Sequence, residues 1–255
     1  MRAALEVEAL KLRRSGAARI AALVLLLAVP GAAAGFLAAA RMRGDSMLAA
    51  KVEGLVIGEG WTALLGLVGQ LLSVAVLLAV GVVVAWSFGR EHVDGTFGAL
   101  FALPTARRDV ALAKTAVLVA WGLVLSVGAV AVTALLGLTL GLGTPGADAA
   151  GAAGRAVVVG VPSVLLALPL GWVAGVGRGY LPAIGALLGL VVVTQVVTVL
   201  GAGAWFPWAA PGMWSGMGGA ELAATVTPVQ LLLAVPVGAV ATWATAAWWA
   251  RAEVR

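Results

Sequence analysis

The residues of this sequence that could do chemistry are concentrated in one stretch, residues 89–114. It holds 3 of the 11 acidic and 4 of the 16 basic residues, together with the single histidine, His92. Glu91 and Asp94 lie close to His92, and all three are residue types that bind metal ions. A metal site needs several such ligands, however, and the sequence has no cysteine to add to them. We therefore predict no metal site and no catalytic group here, and expect His92 to be solvated or to face a partner.

Nucleotide chemistry and intramembrane chemistry are both disfavoured by what the sequence lacks. No segment matches G-x-x-x-x-G-K-[ST], so any ATP would have to bind to another chain. Residues 141–146 match G-x-G-x-x-G, but no strand is predicted before them, so a dinucleotide site is not expected. The long apolar runs contain no ionisable residue, whereas proton-coupled pumps and intramembrane proteases need one there. The polar residues of these runs either join helices or, as a weaker interpretation, line a substrate path: Gln70, Ser73, Gln195 and Thr198.

The composition indicates which elements position these residues. Hydrophobic residues make up 62% of the 255 residues and charged residues 11%, with a mean hydropathy of +1.09. Soluble domains carry about 25% charged residues, so we predict an integral membrane protein. A helix needs about 20 apolar residues to cross a bilayer, and six charge-free runs have this length. We predict an all-α polytopic protein, a single transmembrane domain over residues 1–255, with spans at 20–40, 61–88, 115–142, 156–176, 181–200 and 229–250.

The distribution of basic residues predicts the orientation. Arg41, Arg43, Lys51 and Arg155 fall on one side of the predicted membrane, and the other 12 of the 16 lysines and arginines fall on the opposite side. Because Lys and Arg are enriched in cytoplasmic segments, both termini should be cytoplasmic. This asymmetry accounts for the pI of about 10.7 without nucleic acid, so no nucleic-acid partner is expected.

The N-terminus should form an amphipathic helix. Within residues 3–14, Leu5, Ala9 and Leu12 recur at helical spacing, and the charged residues point in other directions. Such a helix would lie in the inner headgroup layer of the bilayer; alternatively, the segment is a solvated tail whose charges stop translocation. A cleaved signal peptide is a further alternative, but the apolar run here is long enough to span.

The segment between the second and third spans is also amphipathic. Asp94 or Thr96 could cap a short helix, and Thr105 could cap the helix that continues into the third span. The short helix would expose an apolar face, which needs either a cytoplasmic partner or a lipid surface to cover it. The residues of this face are Phe97, Leu100 and Phe101.

The same segment resembles a known family pattern. Its successive motifs are Gly89-Arg90-Glu91, Asp94-Gly95-Thr96, Leu103-Pro104, Arg107-Arg108 and, later, Lys114. They are similar to the GRE…DGT…LP…R…K pattern of ABC-2 type transporter permeases, which are the membrane subunits of ABC exporters. The amphipathic N-terminus and the six spans with both ends inside are similar as well.

For the structure, the resemblance implies that residues 89–108 form a coupling helix that rests on a separate ATPase subunit. Residues 1–18 would form an elbow helix at the inner interface. Residues 201–228, which carry a single charged residue, would form an outer re-entrant or interfacial segment. Glu91 is predicted to make an ionic contact with the ATPase subunit or with a nearby arginine. The predicted coupling residues are Arg90, Glu91, Asp94, Phe97, Leu100, Phe101, Arg107 and Arg108.

For function, the resemblance implies a permease subunit of an ATP-driven exporter rather than an enzyme. The permease would pair with a second copy or with a related chain, and ATP and Mg²⁺ would bind to a dimer of the ATPase subunit. It would lie in the lipid bilayer of a bacterial or archaeal cytoplasmic membrane and move an amphipathic, drug-like, peptide or lipid-like substrate. The alternative is a nucleotide-independent six-helix carrier, or a membrane anchor that transports nothing.

Overall fold

The computed structural model of the chain describes residues 1–41, 54–102 and 104–253. Every regular element within these ranges is a helix, which confirms the all-α prediction. Leu103 of the sequence motif lies outside the described residues, as do three residues of the charge count, Arg43, Lys51 and Arg255.

Six helices of the described chain are long and apolar enough to cross a membrane, as predicted. We number them spans 1 to 6 in chain order. Span 4 starts earlier than predicted, so that Arg155 lies inside its helix rather than in a loop. The bounds are Gly16–Arg41, Gly60–Val93, Arg107–Thr139, Ala147–Val176, Tyr180–Val199 and Pro228–Arg251.

Prolines explain where these spans are irregular. A proline cannot donate its backbone nitrogen, and its ring clashes with the carbonyl four residues earlier. Span 1 forms a π-helical turn at Val24–Ala28, just before Pro30. Span 4 is divided into helices Ala147–Ala167 and Pro169–Val176, and the division falls at Pro169. Span 6 is likewise divided into Pro228–Leu231 and Ala234–Arg251, and here the interruption precedes Pro236 by a turn.

Span 2 lies at the centre of the bundle and is the most buried of the six. It packs against spans 1, 3, 4 and 5, and most of its apolar side chains are inaccessible to solvent. Span 5 is the least buried of the six. The core is therefore built around a single long helix, and the end of this helix carries the Gly-Arg-Glu motif.

The N-terminal helix, Arg2–Arg14, packs against the first turns of span 3. Its buried face consists of Ala4, Glu8 and Leu12, which are spaced four residues apart. The predicted apolar face was wrong in part, because Ala9 is exposed and Leu5 is only half-buried. Glu8 replaces them on the buried face because its carboxylate is paired with a lysine from span 3.

The segment after span 5 forms three short helices, Gly203–Trp205, Ala210–Trp214 and Ala220–Ala224. The helix Ala210–Trp214 packs against spans 2 and 4. The Trp208 indole N–H donates to the Leu166 carbonyl at 3.0 Å, next to the interruption in span 4. Leu166 lies ten residues before the end of span 4, about 15 Å along the helix. The segment therefore reaches well into the bundle, and its re-entrant placement in a bilayer stays a prediction.

Candidate functional site

Four elements meet at one end of the bundle, which we call the basic end. They are the N-terminal helix, the last turns of span 2, the first turns of span 3 and the last turns of span 6. The segment between spans 2 and 3 lies across them. It contains a 3₁₀ helix, Gly98–Ala102, where a short helix was predicted. The N-terminal helix and the last turns of span 6 are therefore on the same side as the motif segment.

A cluster of four charged side chains joins three of these elements. The Lys114 ammonium of span 3 lies 2.7 Å from a Glu8 carboxylate oxygen and 2.9 Å from one of Glu91. Lys11 bridges the same two acids, at 2.9 Å from Glu8 and 3.1 Å from Glu91. The second oxygen of Glu91 accepts a hydrogen bond from the Thr96 hydroxyl at 2.6 Å. Two acids and two bases thus form a closed, neutral arrangement.

Burial makes this cluster energetically important. The side chains of Lys114, Glu8 and Glu91 are 1%, 5% and 5% exposed, whereas that of Lys11 is 36% exposed. Burial alone lowers the pKa of Lys11, but hydrogen bonds and charge interactions with Glu8 and Glu91 outweigh it and raise the pKa above 10.5. Removing one partner of a buried ion pair leaves an uncompensated charge and costs about 3–5 kcal/mol.

Steric and electrostatic requirements explain why particular residues occur in the Gly-Arg-Glu and Asp-Gly-Thr motifs. A Cβ at Gly89 would lie 2.7 Å from Tyr180 Cα and closer still to that residue's nitrogen, so only glycine lets span 5 start there. Gly95 follows the end of span 2 with a φ of +67°, a conformation that glycine adopts without strain. Asp94 pairs with Arg90 at 3.3 Å across one helical turn. The motif therefore ends span 2 and turns the chain.

Phe97 fixes the turned segment to the end of span 6. Its ring stacks on His92 with centroids 4.4 Å apart and meets Trp249 edge-on at 5.4 Å. Trp248 lies 6.0 Å away. Edge-to-face and offset pairs of this kind add about 0.5–1.5 kcal/mol each beyond the burial of apolar area. The aromatic contacts therefore hold the segment from the side opposite to the charged cluster.

Arg107 makes a second connection to span 6. Its guanidinium donates to the carbonyls of Ala250, at 2.9 Å, and of Ala252. These carbonyls lie at the end of a helix, where they lack helical partners and where a positive charge is favourable. The same guanidinium lies over the Phe101 ring at 3.9 Å. The start of span 3 and the end of span 6 are thus joined directly.

The structure places the predicted coupling residues in a buried group and an open group, with Arg107 half-buried between them. Glu91 pairs with lysines rather than with an arginine, so that part of the prediction was wrong. Phe97 and Leu100 are buried, contrary to the expectation of an exposed face, because they cover the ends of the spans. The residues with open surface are Arg90, Asp94, Phe101 and Arg108.

The predicted helix caps also differ from the observed ones. Asp94 is the residue that ends span 2, and the Thr96 hydroxyl donates to Glu91 instead of capping a helix. Span 3 begins after Ala106 rather than after Thr105, and no side chain caps it.

The four residues suggested for a substrate path do not form one group. Gln70 and Ser73 are buried in span 2, where Gln70 donates to the Leu55 carbonyl at 2.9 Å and Ser73 to that of Gln70 at 2.6 Å. Gln195 is exposed on span 5, and the Thr198 hydroxyl donates within its own helix. Gln70 ties a connecting segment to span 2, whereas Ser73 donates within span 2, and a role of either residue in a substrate path stays a prediction.

Sequence reasoning missed Glu8 as a site residue and gave no role to Lys11 or Lys114. One signal was available for Glu8: it lies four residues from both Ala4 and Leu12, so it shares their face. An acid on an apolar helix face requires a buried basic partner. Among the described residues, no group of three or more His, Cys, Asp or Glu side chains could hold a metal ion.

The six spans and the joined elements of the basic end define a polytopic helical membrane protein with a tightly held segment between spans 2 and 3. A family profile described as ABC-2 family transporter protein matches residues 4–201. The chain therefore belongs to this family: it is the permease of an ABC transporter and a multi-pass membrane protein. The matched range includes the whole of the basic end except the last turns of span 6. No curated protein gives a significant match to the sequence.

Proposed function

We propose that this permease works as an exporter subunit and that its ATPase subunit binds to residues 89–108 at the basic end. The observation that carries the proposal is that this segment is held by three other elements at once. Glu91 joins it to the N-terminal helix and to span 3, whereas Phe97 and Arg107 join it to span 6. A displacement of the segment would therefore move several helices together.

The surface offered to the ATPase subunit is the outward side of this segment, which we call the docking face. It consists of the Arg90–Asp94 pair, Val93 and Phe101. The Phe101 ring is 47% exposed, and Val93 is 56% exposed. Exposed apolar side chains beside paired charges are typical of a protein contact. Glu91, Phe97, Leu100 and Arg107 then act as positioning residues beneath the docking face.

The remaining parts of the proposal follow from the family. ATP and Mg²⁺ bind to a dimer of the ATPase subunit, and the basic end faces the cytoplasm. Two permeases, either two copies or this chain with a related one, form the membrane unit. Span 5 is the least buried span and so has a face open to such a pairing. The substrate is amphipathic, drug-like, peptide or lipid-like, in keeping with spans made of Leu, Val, Ala and Gly.

Replacing Phe101 by alanine tests the docking face. The Phe101→Ala variant is co-expressed with its ATPase subunit, and co-purification and the ATPase rate of the complex are measured. We expect co-purification to fall and the permease-dependent ATPase rate to drop severalfold, while the variant itself folds normally. Adding Phe97→Ala should deepen the loss, at the expense of stability. The matched control is Trp205→Ala, an exposed aromatic residue outside the basic end. An unchanged complex in Phe101→Ala would exclude this face.

Cysteine labelling tests the orientation. Because the chain has no cysteine, Gly95→Cys introduces a single reactive group next to Asp94 of the docking face. A membrane-impermeant maleimide should label it only after the cytoplasmic side is opened, and the bound ATPase subunit should protect it. Labelling from the outside alone would overturn the proposed orientation.

A further inference from the structure

A lateral groove lies between spans 3, 4 and 6 and has a volume of about 650 Å³. This volume is within the range of about 300–1,000 Å³ found for small-molecule sites. Its walls come from one face of span 6, from the first turns of span 3 and from the interruption in span 4 at Leu165 and Leu168. Arg108, which belongs to the Arg107-Arg108 motif, lies in these walls, whereas none of the docking-face residues does.

The groove is basic at one end and apolar along the rest of its length. Arg108 and Arg251 line its mouth at the basic end. Both are exposed, and within the described chain neither has an acidic partner within salt-bridge distance. Arg107, next to the mouth, donates to the carbonyls at the end of span 6. The mouth therefore carries uncompensated positive charge.

The polar side chains in the walls do not change this character. The Thr115 hydroxyl donates to the Ala111 carbonyl at 3.0 Å, and the Thr242 hydroxyl donates to the Gly238 carbonyl at 2.8 Å. Both hydroxyl protons are thus used within their own helices. The ring of Trp243, which is 67% exposed, forms the open side. Beyond the two arginines, the groove presents a mainly apolar surface to a ligand.

The length of the groove matches one leaflet of a bilayer. Along span 3 it extends from Arg108 to Val119, and along span 6 from Arg251 to Val235. At 1.5 Å per residue these distances are about 16 Å and about 24 Å. The hydrocarbon core of a bilayer is about 30 Å thick, so one leaflet contributes about 15 Å. A positive mouth followed by one leaflet of apolar wall has the dimensions of a phospholipid.

We propose that this groove binds one anionic phospholipid from the leaflet at the basic end. Its phosphate lies at the guanidiniums of Arg108 and Arg251, and an acyl chain lies along the face of span 6 that carries Gly238, Ala239 and Thr242. Arginine is suited to this because its planar guanidinium donates to two phosphate oxygens at once. Bound lipid would join spans 3, 4 and 6.

The test is lipid retention by the purified chain, measured by native mass spectrometry. The wild type is titrated with phosphatidylglycerol and, separately, with phosphatidylcholine of the same acyl chains. We expect the first phosphatidylglycerol to bind more tightly than phosphatidylcholine. The Arg108→Gln/Arg251→Gln variant should lose about tenfold or more of that preference, since each basic residue near a membrane surface contributes measurably. Inorganic phosphate at equal concentration should not displace the lipid.

Two matched controls distinguish lipid binding in this groove from an effect of overall charge and from an effect of misfolding. Arg2→Gln/Arg14→Gln removes the same charge from the N-terminal helix and should leave the preference unchanged. Ala239→Phe places a ring in the groove and should reduce binding of both lipids, whereas Val240→Phe alters the neighbouring exposed position outside it and should not.

Three results would overturn the proposal. The first is that the wild type binds the two lipids equally. The second is that both arginine double variants lose the same amount of the preference for phosphatidylglycerol. The third is that Ala239→Phe changes the number of subunits in the complex while its lipid binding is unchanged. The last would assign the groove to a second copy of the chain. Because no ATPase subunit is present, these outcomes do not depend on the proposed docking face.

Discussion

The two ends of the bundle are held together by different kinds of contact. At the basic end, side chains distant in sequence pair with one another as ions and stacked rings, as Lys114 does with Glu8 and Glu91. At the opposite end, single side chains donate to backbone carbonyls, as Trp61 does to Gly143 at 3.2 Å and Gln70 to Leu55 at 2.9 Å. The same helices are therefore joined by charge at one end and by neutral hydrogen bonds at the other.

This difference has an energetic consequence. A neutral hydrogen bond contributes about 0.5–1.5 kcal/mol net, whereas breaking a buried ion pair costs about 3–5 kcal/mol. The basic end should therefore resist separation of its elements, as the proposed ATPase contact would require. The opposite end should tolerate changes in its packing. Three substitutions test this comparison, from the largest expected effect to the smallest.

Lys114→Met should have the largest effect, about 3–5 kcal/mol of lost stability. The substitution leaves the buried carboxylates of Glu8 and Glu91 with Lys11 as their only basic partner in the cluster. Unfolding in mixed micelles, followed by the fluorescence of the ten tryptophans, measures the change. Lys11→Met should cost less, because Lys11 is partly exposed.

A double variant distinguishes loss of the ion pair from loss of packing. Glu8→Gln in the Lys114→Met background removes the one negative charge that Lys11 cannot balance, so it should recover part of the lost stability. If Lys114→Met lowers the stability by less than about 1 kcal/mol, or if Glu8→Gln lowers the stability of the Lys114→Met variant further, the charged cluster does not hold the elements of the basic end together.

Gly89→Ala should have an intermediate effect, about 1–3 kcal/mol, which is typical of overpacking. The new methyl group meets the backbone at Tyr180, which cannot move without shifting the start of span 5. The control is Gly98→Ala in the same segment, where nothing lies within 4 Å. The same unfolding measurement applies. Equal unfolding midpoints for the two variants would show that the start of span 5 can shift at little energetic cost.

Trp208→Phe, at a neutral hydrogen bond deep in the bundle and away from the charged cluster, should have the smallest effect, about 0.5–1.5 kcal/mol. It removes the indole donor to the Leu166 carbonyl and keeps most of the apolar ring. Thermal unfolding of the variant and of the wild type in the same detergent gives the difference. A loss as large as that of Lys114→Met would contradict the difference between charged and neutral contacts.

The spans were predictable because their signal is local. Each apolar run between charged segments became a helix, and the ends moved mainly where polar residues continue the helix, as at Arg155. The motif also meets local needs, with a left-handed residue at Gly95 and a helix end at Asp94, although Asp94 was predicted to start a helix and not to end one. Neither depends on knowing which helix lies beside which.

The partners across the basic end were not predictable in this way. Glu8 and Lys114 are 106 residues apart, and Phe97 meets a tryptophan 152 residues later. Exposure was misjudged for Phe97 and Leu100 for the same reason, because an amphipathic segment does not reveal whether its apolar side faces outward or onto the bundle.

The sequence by itself determined the class of this protein. Long apolar helices are stable in the bilayer core, and the charged residues between the apolar runs mark off six spans and two amphipathic segments. Only the tertiary structure decided which charges are buried together, that the segment between spans 2 and 3 is held from both sides, and that two arginines share the mouth of a lateral groove. The physical reason is that hydrophobicity acts residue by residue, whereas a buried ion pair or a groove exists only between elements that packing has brought together.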